Sequence, residues 1–192
     1  RIQPTFVLAV EGALDIAGGL QDRVIQCYQG LVYMDFSPEN KRTVAGLTHY
    51  EDEPMDPSLL PPIYVAYHGS LGEPTEVFHN DLRGRYNRGD PQIVQAMQDF
   101  AQLAHDGRQA ILEQDAAHLS QLIDANFDLR SSICTLAPWQ VQMVQTARSC
   151  GASAKFAGSG GAIVGVYQDQ AMFQALTSRL EAIGSRVIRP QI

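Results

Sequence analysis

Between Gly151 and Tyr167 the chain reads GASAKFAGSGGAIVGVY. Gly158, Gly160 and Gly161 surround Ser159 between two runs that favour strand, ASAKFA and AIVGVY. Missing side chains let a bound group lie against backbone N–H donors, as phosphate sites require. The plainer reading is a hairpin turn whose glycines supply positive φ. Both readings fit the pattern. Two nucleotide motifs do not: no Gly-Lys-Ser/Thr follows, as a P-loop needs, and the dinucleotide fingerprint needs a helix where a strand follows here.

Other residues carry weaker signals. LRGRYNRG holds Arg83, Arg85 and Arg88 in a polar loop. It reads as a solvated basic loop or, functionally, as an anion-binding lid, because guanidinium forks suit carboxylate and phosphate. Arg130, four residues after Asn126 on an expected helix, divides in the same way between a structural role and a place at a cleft. Lys155 reads as a solvated strand residue. Asp22, taken alone, reads as an acidic residue in a first helical turn, favoured by the helix dipole. The five histidines are scattered, and Cys27, Cys134 and Cys150 show neither zinc spacing nor a paired redox motif. No metal site is expected, and the cysteines read as small buried hydrophobes in a reducing cytosol.

These residues must be held by a fold, and composition bounds it. The 192 residues, with 45% hydrophobic content, suffice for one or two packed domains. A balance of 21 acidic against 14 basic residues argues against a broad nucleic-acid surface but allows a small anionic ligand. No apolar run is long enough to span a bilayer. The N-terminal apolar stretch, interrupted by Glu11 and Asp15, lacks the layout of a signal peptide. The chain opens on Arg1, with no initiator methionine, and so reads as processed or as part of a longer protein.

Periodicity predicts a helix over residues 4–15, a break at Gly18–Gly19, and a second helix from Leu20 to Gly30. LVYMDF reads as a strand, with TVAGLTHY as its antiparallel partner. Glu51–Pro62, acidic and proline-rich, reads as a long loop and a domain boundary. From Ile63 onward the order is strand, helices (from Asp90, Asp115 and Pro138), strand, strand, helix, strand. That order predicts an α+β domain of the ferredoxin-like split βαβ type, with extra helices in the first crossover.

GASAKFAGSGGAIVGVY resembles the third conserved motif of the GHMP kinases, the superfamily of galactokinase, homoserine kinase and mevalonate kinase. GLQDRVIQCYQGLVYMDFS and NFDLRSSI are similar to sugar and sugar-acid kinases of the glucuronokinase branch, so the resemblance covers most of the chain. It implies that residues 1–52 end an N-terminal, ATP-binding domain and that residues 62–192 form the ferredoxin-like C-terminal domain. It implies a cytoplasmic kinase, using ATP and Mg²⁺, that phosphorylates a sugar or sugar-acid hydroxyl. Glucuronate to glucuronate 1-phosphate is the candidate reaction, with neither nucleic acid nor membrane as partner.

The family's basic residue near the N-terminus and its serine-containing phosphate loop have no match here. The phosphate loop is therefore expected upstream of Arg1, with the missing N-terminal portion as this chain's partner. In that frame Asp22 is the candidate carboxylate that accepts the proton of the attacking hydroxyl. Gln21, Arg23, Gly158, Ser159, Gly160 and Gly161 are the candidate substrate-binding residues. Two other classes stay open: a non-catalytic ferredoxin-like module that binds a ligand or partner, since fold does not fix function, and an inactive kinase relative.

Overall fold

The computed structural model describes residues 2–14, 19–69 and 82–192. The break expected at Gly18 and the polar stretch 70–81 lie outside these residues. The chain forms two compact units, residues 1–58 and Leu59–Gln191.

In the first unit, helix α1 spans Gln3–Ala13, with Pro4 in its first turn, where a missing N–H breaks no helical bond. Helix α2 spans Leu20–Tyr28 and stops where Gln29 and Gly30 take positive φ of 58° and 68°. The strands are β1 (Leu31–Tyr33), β2 (Lys41–Val44), β3 (Leu47–Tyr50) and β4 (Glu53–Met55). Their pairing corrects the sequence expectation. TVAGLTHY is not the partner of LVYMDF; it folds on itself, β2 against β3, around Ala45 and Gly46. Those two residues have φ of 51° and 78°, the paired left-handed turn that matches strand twist in a two-residue hairpin. Strand β1 pairs with β4 instead. The proline-rich segment thus begins as a strand rather than a loop, because a three-residue strand in a two-stranded sheet tolerates Pro54.

The second unit contains β5 (Ile63–His68), α3 (Pro91–Leu112), α4 (Ala116–Ile133), α5 (Pro138–Ser149), β6 (Lys155–Phe156), β7 (Ala162–Val166), α6 (Gln170–Glu181) and β8 (Ser185–Ile188). The sheet order is β6-β7-β5-β8, antiparallel throughout. This is the ferredoxin-like order that the sequence predicts. Three helices begin on aspartates whose carboxylates accept early backbone N–H groups: Asp90 from Gln92 at 3.1 Å, Asp115 from His118 at 2.9 Å and Asp169 from Met172 at 2.8 Å.

Strand β5 alternates, turning Tyr64 and Ala66 into a core with Phe127, Met143, Leu176 and Leu180. Helix α4 packs on β6 and β7, and α3 packs on α4. Arg148 of α5 then fixes where β6 starts. Its guanidinium pairs with Asp124 at 3.0 Å and Asp128 at 2.7 Å, and Asp124 accepts the Ala154 N–H at 2.8 Å. One salt-bridged network therefore holds both α4 and the strand that leads into the glycine loop.

Candidate functional site

The glycine loop closes a hairpin between β6 and β7. Ala157 N–H donates to Ala162 at 2.9 Å, and His68 N–H on neighbouring β5 donates to Gly161 at 3.2 Å. Within this frame the glycines differ. Gly160 has φ of 140°, and a Cβ there would run into the Gln140 side-chain amide, so the fold itself demands glycine. Gly158 and Gly161 have neither constraint: their φ values lie outside the left-handed range, and a Cβ on either would meet nothing within 4 Å. Their bareness keeps main chain open to an approaching group, the property that the phosphate reading requires.

Two cations hold the carbonyl side of this loop. Arg130, from α4, donates from Nη1 to the Gly158 carbonyl at 2.9 Å and from Nη2 to the Ser159 carbonyl at 3.1 Å. Its guanidinium also lies over the Phe156 ring, 5.0 Å from the centroid. Lys155 Nζ donates to the Phe156 carbonyl at 3.1 Å. The sequence expectation of a solvated Lys155 is corrected: the side chain is half-buried. Burial, and then the neighbouring Arg130 charge, push its pKa down, and burial lowers that of Arg130 as well.

A stability prediction follows from Lys155. Its folded-state pKa lies below the unfolded value, so below that folded pKa the fold bears the desolvation cost of the charged ammonium. That cost is relieved as pH rises through the folded pKa toward the ordinary lysine range. Lys155→Met should therefore raise Tm by roughly 2–4 °C at neutral pH. The gain should shrink as pH climbs through the alkaline range, which thermal melts of both proteins across pH will check.

Beside Arg130 lies a cleft of about 660 Å³, lined by Arg83, Asn126 and Arg130 together with Met97, Phe100 and Ile133. LRGRYNRG is not the polar loop that the sequence suggests, since residues 82–87 are helical. Arg85 secures that turn. It pairs with the α3 cap Asp90 at 2.9 Å, and donates to Gln92 at 3.1 Å and to the Ile133 carbonyl at 3.3 Å. Arg85 is thus structural, whereas Arg83 faces the cleft.

Gln21, Asp22 and Arg23 occupy the first turn of α2 in the first unit. Gln21 and Asp22 are exposed. Arg23 donates from Nε to Glu11 at 2.7 Å, an ion pair that ties α2 to α1, and hydrogen bonding to that carboxylate raises its pKa. Among the described residues, no three His, Cys, Asp or Glu side chains gather as a metal site, and no helix is long and apolar enough to cross a membrane. The signal for Arg130 was present in the sequence as a cation within NFDLRSSI. Its carbonyl partners lie 28 and 29 residues away, so only the packing of α4 against β6 and β7 reveals them.

Comparison with known proteins completes the picture. The chain is 41% identical over 167 residues to glucuronokinase 1 of Arabidopsis thaliana, and 42% identical over 168 residues to probable glucuronokinase 2 of the same plant. The chain is a relative of the glucuronokinases. Each match covers 85% of this chain, which spans 45% of the length of each glucuronokinase. Solved structures agree on the fold. The L. major mevalonate kinase in complex with R-mevalonate matches 94% of this chain and 56% of its own, with a TM-score of 0.70 and 21% identity. Mevalonate kinase from Staphylococcus aureus matches 75% of this chain and 45% of its own, with a TM-score of 0.52 and 13% identity. No protein-family model matches the chain. The fold of this glucuronokinase relative is that of the GHMP kinases.

Proposed function

We propose that this chain is the C-terminal portion of an ATP-dependent kinase that phosphorylates a sugar-acid hydroxyl, converting glucuronate to glucuronate 1-phosphate. The observation that carries the reading is the pairing of glucuronokinase likeness with a loop left bare at Gly158 and Gly161 for no reason internal to the fold. In this reading residues 1–52 are the remainder of the ATP-binding domain, and residues 62–192 are the C-terminal domain. Helix α1 fits that assignment. Ile2, Phe6, Val10 and Leu14 recur every four residues and are 36%, 58%, 46% and 67% exposed, an apolar stripe suited to packing against the rest of an N-terminal domain.

The nucleotide phosphates and Mg²⁺ belong to the upstream phosphate loop of the same kinase. Mg²⁺ would supply charge neutralisation on the transferring phosphoryl group. The residues of this chain have other tasks. The Gly158–Gly161 main chain lies against the phosphoryl and acceptor pair. Gln21 hydrogen-bonds sugar hydroxyls, Arg23 holds the α2 turn and offers charge to the acid, and Asp22 accepts the proton of the attacking hydroxyl. Asp22→Asn in the intact kinase should lower kcat by about 10³-fold and leave nucleotide affinity within a few-fold. Steady-state kinetics with a nucleotide titration will check this, and equal turnover in the two proteins would remove Asp22 from the role.

A coupled ADP-release assay on the intact gene product, across neutral sugars and uronic acids, tests the function. Release that depends on glucuronate supports the proposal. ATP turnover that no sugar or uronic acid stimulates would reject it.

A further inference from the structure

Three helix faces converge on the cleft beside Arg130. On helix 82–87, Arg83 and Tyr86 stand three residues apart, as do Met97 and Phe100 on α3; on α4, Asn126 and Arg130 stand four apart. Residues at those spacings share one face of a helix, so the three faces border a space of about 660 Å³. Its walls are mainly apolar and aromatic, and among the described residues its charged side chains are the two arginines. Small-molecule pockets have this make-up: apolar walls give contact area, and a few polar groups fix orientation. Here the charged groups are cationic, so the ligand that fits carries an anion beside an apolar face.

The two arginines are not equivalent. Arg130 commits both Nη donors to the Gly158 and Ser159 carbonyls, at 2.9 and 3.1 Å. It thereby joins the cleft to the glycine loop, and a ligand in the cleft lies next to that loop. Arg85 is committed to the α3 cap Asp90 at 2.9 Å. Arg83 is exposed and forms neither a hydrogen bond nor an ion pair among the described residues. Its planar fork can meet a carboxylate with two parallel N–H···O bonds. We propose that this cleft seats the sugar-acid acceptor and that Arg83 binds its carboxylate, which makes Arg83 the residue that selects an acid over a neutral sugar. This rests on the kinase reading above. Asn126, with an amide that both donates and accepts, suits the hydroxyls of the same ring, and Tyr86 and Phe100 suit its apolar C–H face. Arg23, already paired with Glu11 at 2.7 Å, is then a supplementary charge and not the direct contact.

The test uses the intact gene product and three variants, Arg83→Gln, Arg83→Lys and Arg88→Gln, with glucuronate and its neutral amide, glucuronamide, as paired acceptors. The amide keeps the ring and its hydroxyls and removes the charge, so the ratio of kcat/KM for the two reads the carboxylate contact. Wild type should prefer glucuronate by about 10²-fold. Arg83→Gln should bring the preference within about 3-fold, chiefly by raising KM for glucuronate with kcat nearly kept, the signature of binding made equally in ground and transition states. Arg83→Lys keeps the charge without the fork and should retain a preference of about 10-fold. Arg88, exposed and outside the cleft lining, is the control for net charge, and Arg88→Gln should match wild type.

Calorimetry of glucuronate binding, without nucleotide and with a non-hydrolysable ATP analogue, stands apart from turnover. If no sugar or uronic acid stimulates ADP release, the kinase reading fails, and calorimetry still judges the cleft: wild type should bind glucuronate about 10²-fold more tightly than Arg83→Gln does. An affinity or a preference that Arg83→Gln leaves within about 3-fold of wild type overturns the proposal. So does wild-type protein that binds no glucuronate in either condition, or that treats acid and amide alike. A loss shared by glucuronate and glucuronamide and accompanied by a lower Tm would mark Arg83 as structural support only and would also overturn it.

Discussion

Valine in place of Gly158 or Gly161 should abolish most of the activity of the intact kinase and leave its melting temperature within about 2 °C of wild type. The Cβ position itself gives no reason for a loss of stability, because a Cβ at either glycine meets no heavy atom within 4 Å and neither residue needs left-handed φ. The expected loss is catalytic. On the proposed reading a branched side chain would occupy the space of the phosphoryl group or sugar, and displacing reacting groups by about 1 Å can cost some 10²-fold in rate. Gly160→Val is the contrasting control. There the added atoms run into the Gln140 amide and the backbone sits at φ 140°, so activity and melting temperature should fall together. Circular dichroism melts beside steady-state kinetics separate the cases. If the Gly158 and Gly161 variants melt as low as the Gly160 variant, the glycines serve only the turn.

The second large effect concerns stability. Gly165→Ala should destabilise the second unit by more than about 3 kcal/mol and leave little folded protein at 37 °C. Gly165 sits in β7 opposite Tyr64 of β5. The Tyr64 hydroxyl donates to the Ser153 carbonyl at 2.9 Å, which draws that carbonyl across the face of Gly165. Ser153 is further fixed to Val166, donating its N–H to the Val166 carbonyl at 3.1 Å and accepting the Val166 N–H on its hydroxyl at 2.9 Å. A methyl group at 165 would overlap the Ser153 carbonyl oxygen and press on the Tyr64 ring. Relief requires breaking buried hydrogen bonds, each of which costs about 1–3 kcal/mol when its partner is left unsatisfied. Denaturant titration of the two proteins will measure the difference, and a midpoint unchanged from wild type would contradict the packing described here.

Much of the second unit was legible because its signals are local. Asp90–Pro91, Asp115 and Asp169 announce helix starts, and alternation in IYVAYHG and AIVGVY announces strands. The order of those elements is enough to give a ferredoxin-like sheet. The first unit was harder, since three- and four-residue strands have too few alternations to specify a partner. There the turn decides: Ala45-Gly46 closes β2 on β3, and alanine is a poor advertisement for positive φ. In the site, the glycine loop stood out by composition, but the division of labour within it did not. Whether a glycine is bare for the fold or for a ligand depends on what its missing Cβ would touch, as with Gln140 beneath Gly160. Lys155 was misread for a related reason, because its alternation pattern shows a strand face and not the guanidinium that packs beside it.

The central claim is that the bare loop lies against the transferred phosphate. A crystal structure of the intact enzyme with glucuronate and a non-hydrolysable ATP analogue tests it most directly. The account predicts the γ-phosphate end in van der Waals contact with the Gly158–Gly161 main chain. Glucuronate and nucleotide bound together at a site that does not touch that main chain would contradict it.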